Sequence, residues 1–242
     1  MQTIPIFTVA VPCFNEEGNV LNLKSALLPV METLRVAYEV LLIDDGSRDE
    51  TAREMEGLQK LFPQVVRIFR HSRNRGLGES IKTAVSEAQG EYLILLDADL
   101  TFHPSEIPKL IQKQREVNAD CVIGSHLMKG GDAGEIQWFR LFLNRGVNVL
   151  YVLASGAKIK SFSSLFRLYR VSALRELALQ SPGFSLSAEI LAKLVRKKKL
   201  VAEVPAKLSC RTIGTSKIRF FREIKNHLIL LSKIICWRVS SF

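Results

Sequence analysis

What the sequence lacks narrows it first. Its four cysteines (Cys13, Cys121, Cys210 and Cys236) lie far apart with no CxxC pair. This argues against a disulfide scaffold or a zinc knuckle and fits a reducing compartment. No stretch reaches the ~18 uninterrupted apolar residues of a spanning helix. The longest candidate, Leu228–Trp237, is broken by Lys233. The first residues hold no basic run and pass directly into a strand pattern, so no secretory signal is expected. There is no GxGxxG after the first strand pattern and no GxxxxGK followed by Ser or Thr, which leaves dinucleotide and P-loop readings unsupported. The histidines (His71, His103, His126 and His227) are scattered, with no HExxH, and no GxSxG occurs. Zinc and serine-hydrolase chemistries therefore have no anchor.

What is present suits one large α/β domain: 242 residues, 47% hydrophobic and 24% charged, enough to bury a core without staples. The net charge of +10 is unevenly placed. Residues 193–242 hold 13 Lys/Arg against Glu203 and Glu223, and the preceding 192 residues are nearly neutral. A basic C-terminal fifth points to an anionic partner.

Short apolar runs alternate with helical patterns. Strands are predicted at Ile6–Val11, ending at Pro12, and at Tyr38–Ile43, Val65–Phe69, Tyr92–Leu96 and Cys121–Ile123. Helices are predicted at Val20–Leu34, Arg48–Leu61 (capped by Ser47 or Asp49), Gly78–Ala88 and Pro104–Val117. Fully apolar strands separated by helices imply a mainly parallel sheet covered on both faces. A second region begins near Gly130-Gly131. It carries a helix at Trp138–Leu153, a strand at Phe162–Tyr169, a helical stretch at Glu176–Leu200 interrupted by Ser181-Pro182-Gly183, and a loop at Pro205–Ser216.

In open parallel sheets ligands bind outside the carboxyl ends of the strands. Those ends carry Asn15-Glu16, Asp44-Asp45-Gly46-Ser47, Asp97-Ala98-Asp99 and Gly124-Ser125-His126. Asp97 and Asp99, one residue apart at the end of an apolar run, suit a hard divalent cation, Mg²⁺ or Mn²⁺, completed by water and phosphate oxygens. The competing reading is a solvated turn. Asp44-Asp45 fits recognition of a nucleoside and a helix cap equally well, and Asn15-Glu16 has the same two readings. Lys129, Arg140, Arg145, Arg167, Lys207, Arg211 and Lys217 supply cations for a diphosphate. Arg211 to Lys217, with Gly214 between, reads as an anion-wrapping loop.

Phe221, Ile224, Leu228, Leu231 and Ile235 recur at helical spacing among Arg219, Arg222, Lys225, Lys233 and Arg238. This basic amphipathic helix, residues 218–242, is expected to lie on a membrane surface, peripherally and at the cytoplasmic face. The alternative is a helix packed on the domain or on a second subunit. No stacking ladder accompanies it, so no nucleic acid is expected as partner.

VAVPCFNEEGNV, LLIDDGSRDETA, RNRGLGESIKTA, EYLILLDADLTFHPSEIPKL and RTIGTSK occur in that order between Ile6 and Lys217. Together they resemble the family 2 glycosyltransferases, in the branch of dolichol-phosphate mannose synthases and related polyprenyl-phosphate hexosyltransferases. The resemblance implies a GT-A fold over residues 1–217. Residues 1–126 would hold a nucleotide-sugar donor, and residues 127–217 an acceptor and its phosphate. It implies nucleoside contacts at Pro12, Phe14, Glu16, Ile43 and Asp45, and metal and diphosphate contacts at Asp97, Ala98 and Asp99. Phosphate contacts are implied at Lys129, Arg140, Asn144, Lys207, Arg211 and Lys217, with Asp99, Arg211 and Lys217 as the catalytic set. It further implies a lipid-phosphate acceptor; a membrane-anchoring partner subunit or a homo-oligomer stays open as a further partner. Thr101 and His126 are also expected to bind substrate, and there the chain departs from the family pattern, with His126 where Arg is frequent and Thr101 where Gln is frequent. Ser161 to Arg167 also lacks the family's usual acid and glycine.

The expected activity is inverting transfer of a hexosyl group, as from GDP-mannose or UDP-glucose, to a polyprenyl or dolichyl phosphate. Two alternatives stay open. One is another lipid or saccharide acceptor, for which a hydroxyl would need a base and Glu189 is the candidate. The other is a catalytically silent, nucleotide-sugar-binding partner subunit.

Overall fold

All five apolar runs enter a single sheet in the computed structural model of the chain, which describes residues 4–132, 138–209 and 220–239, with side chains left undescribed at 138–145, 220, 221 and 239. The strands are β1 (Phe7–Cys13), β2 (Tyr38–Asp44), β3 (Val66–Arg70), β4 (Tyr92–Leu95), β5 (Cys121–Ser125), β6 (Arg167–Arg170) and β7 (Val201–Pro205). The helices are α1 (Asn19–Ala26), α2 (Leu28–Thr33), α3 (Thr51–Leu61), α4 (Leu77–Glu87), α5 (Ile107–Val117), α6 (Trp138–Ser155), α7 (Val171–Arg175), α8 (Ser185–Arg196) and α9 (Phe220–Val239). The sheet order is β3-β2-β1-β4-β6-β5-β7. All strands are parallel except β6, which runs antiparallel to both β4 and β5. The expected mainly parallel α/β architecture is what the chain adopts.

Alternation along the strands divides the core in two. Ala10, Leu41, Ile43, Leu93 and Leu95 face α4, α6, α8 and α9. Val9, Val11, Val40, Leu42 and Ile94 face α1, α2, α3 and α5. Each such Val, Leu or Ile side chain contributes about 1.5–3 kcal/mol by leaving water.

Several expected boundaries shift for local reasons. β1 continues through Pro12 because its pairing with β4 ends at Ala10↔Leu95, so on that side the missing N–H costs no ladder bond. The helix expected at Val20–Leu34 splits at Leu27, because Pro29 cannot donate into the first helix's ladder. The N-cap of α3 is Glu50, not Ser47 or Asp49; Asp49, one residue ahead of it, accepts the Thr51 N–H (3.1 Å), and the Ser47 hydroxyl accepts the Asn15 N–H at 3.0 Å. The strand expected at Phe162–Tyr169 is reduced to β6, and β7 lies between the helical stretch expected to end at Leu200 and the loop expected from Pro205.

The C-terminal helix packs on the domain through buried Leu230 and Ile234. The Tyr151 hydroxyl and His227 Nδ1 lie 2.6 Å apart, Arg238 donates to the Leu153 carbonyl (2.9 Å), and Lys193 sits over the Trp237 ring. Among the described residues no helix is long and apolar enough to cross a membrane. Among the described residues Cys13, Cys121 and Cys236 form no disulfide. Burial pushes the Cys121 thiol up to about 12, which leaves it inert as a nucleophile.

Candidate active site

The carboxyl ends of β1, β2, β4 and β5 open on one rim because these strands share a direction. The β1 and β2 ends are tied together first. Asp45 N–H donates to the Cys13 carbonyl (2.8 Å), and Arg48 N–H donates to the Asn15 side-chain oxygen (2.8 Å). Glu16 is half-buried, accepts from the Asn19 amide at 2.7 Å, and sends its own N–H to the Thr51 hydroxyl. Pro12 and Phe14 are half-buried beside it. Ile43 lies wholly in the core, so any ligand contact there falls to its backbone.

The paired aspartates divide their work. Asp44 accepts the Ser47 N–H (2.8 Å) and pairs with Arg70 at 3.7 Å, closing the turn. Asp45 is buried and reaches the next strand end. It accepts the backbone N–H groups of Arg75 (2.9 Å) and Gly76 (2.7 Å), and its Oδ1 lies 2.6 Å from His71 Nδ1. Gly46 has φ +72°, and a Cβ there would fall 2.5 Å from the Arg73 carbonyl carbon. Only glycine lets the 44–47 turn press against this loop.

Asp97 and Asp99 are half-buried in the turn after β4. Leu100 takes φ +54°, and its N–H returns to the Asp97 carbonyl at 3.1 Å. Thr101 donates both its N–H (3.0 Å) and its hydroxyl (2.8 Å) to Asp99 Oδ1, so that carboxylate is oriented. Ala98 between them is buried. A pair of oxygen-only donors fits a hard divalent cation. Among the described residues no group of three or more metal-ligating side chains gathers. The pair could supply part of a coordination shell, leaving the rest to water and phosphate oxygens.

The chain returns to this turn from downstream. Phe102 bridges Leu208, and Ser209 N–H donates to the Thr101 carbonyl at 2.7 Å, two residues before Arg211. Lys207 and Lys129 are exposed. His126 is buried with its ring 6.5 Å from that of Phe102, which stacks on Phe166 at 5.0 Å. Arg211 and Lys217 lie outside the described residues, as do the side chains of Arg140, Asn144 and Arg145.

Two residues read as chemistry prove structural. Arg167, expected among the phosphate cations, is fully buried. It donates to the carbonyls of Ser187 (2.6 Å) and Phe162 (2.6 Å) and to the Tyr169 hydroxyl (3.1 Å). Glu189, the candidate base, is also buried, with its carboxylate taken by Lys193 and by the N–H groups of Gln180 and Ser181. Burial alone would raise its pKa, but these hydrogen bonds outweigh it and hold the carboxyl below its usual range.

His71 escaped the sequence reading because no motif contains it. Its place follows from β2–β3 pairing: Asp44 is opposite Arg70, so Asp45 and His71 leave adjacent strand ends together.

A mixed sheet with its acidic turn at the strand ends is the glycosyltransferase A arrangement. Its solved relatives include glucosyl-3-phosphoglycerate synthase from Mycobacterium tuberculosis, in complex with phosphoglyceric acid. That structure matches with a TM-score of 0.70 at 14% identity, over 96% of this chain and 80% of the other. The same enzyme in complex with Mn²⁺, UDP and glucosyl-3-phosphoglycerate matches with a TM-score of 0.68 at 15% identity, over 98% and 79%. Residues 8–178 match glycosyl transferase family 2, and the chain belongs to that family.

Dolichol-phosphate mannosyltransferase of Pyrococcus furiosus is 30% identical over 214 residues, which is 88% of this chain and 59% of that protein. Undecaprenyl-phosphate 4-deoxy-4-formamido-L-arabinose transferase of Proteus mirabilis is 29% identical over 217 residues, covering 90% and 64%. The chain thus spans about three fifths of the length of these relatives.

Proposed function

We propose that the chain transfers a hexosyl group from a nucleoside-diphosphate sugar to a polyprenyl phosphate, with inversion. The observation that carries this reading is the Asp97–Asp99 turn, with Asp99 oriented by Thr101, on the same strand-end rim as the Asp45 loop. Asp97 and Asp99 would hold Mg²⁺ or Mn²⁺, which when bound neutralises charge on a leaving diphosphate. Asp45, Glu16, Pro12 and Phe14 hold the nucleoside end. Lys129 and Lys207 would bind the phosphates, and the same role is assigned to Arg140, Asn144, Arg211 and Lys217, whose side chains lie outside the described residues. A phosphate monoester is mostly dianionic at neutral pH, its second pKa being ~6, so the acceptor attacks the anomeric carbon without a protein base. The engagement of Glu189 in two backbone N–H groups and Lys193 favours this acceptor over a hydroxyl, which would need such a base. A panel of GDP- and UDP-sugars with a short polyprenyl phosphate and Mn²⁺, read by mass spectrometry, tests the proposal. One lipid-linked sugar phosphate is expected. Donor consumption without it, or transfer only to hydroxyl acceptors, rejects the reading.

The proposed membrane seat is supported by what packing leaves outside. Val149, Leu150 and Leu153 on α6 and Leu228, Ile229 and Ile235 on α9 are exposed. Leu150, Leu153, Leu231 and Ile235 line one apolar groove between the two helices. Exposed Arg222, Lys225, Lys233 and Arg238 lie on α9, each contributing about 1 kcal/mol near an anionic leaflet. Deleting residues 218–242 would also strip Leu230 and Ile234 from the core, so the test uses exposed positions. Leu153→Glu with Ile235→Glu should lower cosedimentation with phosphatidylserine-containing liposomes at least tenfold without altering thermal unfolding. Undiminished binding rejects this seat.

A further inference from the structure

Asp45 and His71 form the most enclosed pair of titratable groups at the rim, with side chains 4% and 1% exposed. An ionised carboxylate only accepts, so the proton between them sits on His71 Nδ1. Nε2 on the far side of the ring lies 2.9 Å from the Thr83 hydroxyl on α4. The Thr83 hydroxyl can accept from Nε2 or donate to it, and in either role it holds the ring with Nδ1 turned to Asp45. The Phe69 ring meets the imidazole edge-on at 5.8 Å, which closes its remaining side. The backbone joins the same unit: His71 N–H donates to the Asp44 carbonyl at 2.9 Å. The Arg75 and Gly76 N–H groups converge on the Asp45 carboxylate. Three consecutive features of the rim, the β2 end, the β3 end and the start of α4, therefore meet at one carboxylate.

We infer that His71 is a positioning residue for the donor nucleotide. It locks Asp45, and through it the 75–76 backbone, in the geometry that closes the nucleoside end of the site. The inference rests on the proposed use of a nucleotide-sugar donor. His71 itself need not touch the ligand, because it is enclosed behind Asp45. What it supplies is one N–H that Arg75 and Gly76 cannot replace, since each backbone N–H already has its own place on the carboxylate. Without that donor Asp45 gains a rotational freedom that the bound nucleotide must remove.

The experiment compares wild type with His71→Phe, which fills the space without a donor, and His71→Asn, whose amide N–H stands close to the place of Nδ1–H. UDP and GDP binding in the presence of Mn²⁺ is measured by calorimetry, and the KM for a short polyprenyl phosphate by turnover. His71→Phe should weaken nucleotide binding about tenfold and leave the acceptor KM within twofold. His71→Asn should recover affinity to within threefold of wild type. Should His71→Phe not fold, Thr83→Val carries the test: it keeps the ring and Asp45, and should weaken nucleotide binding about threefold. Wild-type affinity in His71→Phe overturns the inference, as does an equal loss on the acceptor side, no recovery in His71→Asn, or, in the absence of a folded His71→Phe, an unchanged Thr83→Val. A wild-type chain that binds neither UDP nor GDP overturns the donor reading itself, and this inference with it.

Discussion

Asp99→Asn should lower turnover about a thousandfold while leaving the melting temperature within about 2 °C of wild type. The amide keeps the carboxylate's shape and an oxygen that can still accept the Thr101 N–H and hydroxyl. It removes the negative charge that would hold a divalent cation against the donor diphosphate. That electrostatic contribution is worth several kcal/mol in the transition state, and about 1.4 kcal/mol corresponds to each tenfold in rate. Stability should barely move because Asp99 is half-exposed in a turn, where substitutions typically cost under about 0.5 kcal/mol. Steady-state kinetics with the productive donor and a thermal melt decide it. Turnover within threefold of wild type would remove the metal-diphosphate scheme.

Arg167→Met should act in the opposite way, on folding before chemistry. The guanidinium is enclosed and satisfies the Ser187 and Phe162 carbonyls and the Tyr169 hydroxyl, with a longer bond of 3.4 Å to the Ser161 carbonyl. The same segment is held from its other side by Glu203, which accepts the Lys160 and Ser161 N–H groups, and by Asn148, which accepts those of Phe162 and Ser163. Each acceptor left buried and unpaired costs about 1–3 kcal/mol. A loss of at least about 3 kcal/mol is therefore expected, or roughly 10 °C in melting temperature for a chain of this size. Were Arg167 a phosphate clamp instead, the variant would melt normally and lose activity. Calorimetric unfolding beside a donor-binding titration separates the two outcomes.

These two residues also mark how far the sequence reaches. Asp97 and Asp99 are legible because their signal is local: an apolar run stops, and two carboxylates follow it at the strand end where ligands gather. The strand-end rule places Asn15-Glu16 and Asp44-Asp45 on the same rim without coordinates. Nothing local distinguishes Arg167 from Lys207. Both are cations in the second region, yet one is walled into the core and the other exposed. Glu189 was readable as a base only while its neighbours were unknown. The Gln180 and Ser181 N–H groups come from the loop ahead of α8, and they settle its carboxylate as a structural acceptor. The helix at 220–239 packs on α6 and α8 with its inward face, as its packing reading expects, while apolar residues on its outward face stay exposed and carry the proposed membrane seat.

Apolar periodicity by itself determined the α/β class, five of the seven strands with part of β6, and the rim on which the carboxylates stand, because burial of one face imposes a repeat that neighbouring residues carry. Tertiary structure alone decided that β6 runs against its neighbours, that β7 closes the sheet edge, and that His71 meets Asp45. Those outcomes depend on pairings between residues tens of positions apart. Such pairings are selected by the whole sheet's hydrogen bonding and packing, and no short window of sequence contains both partners.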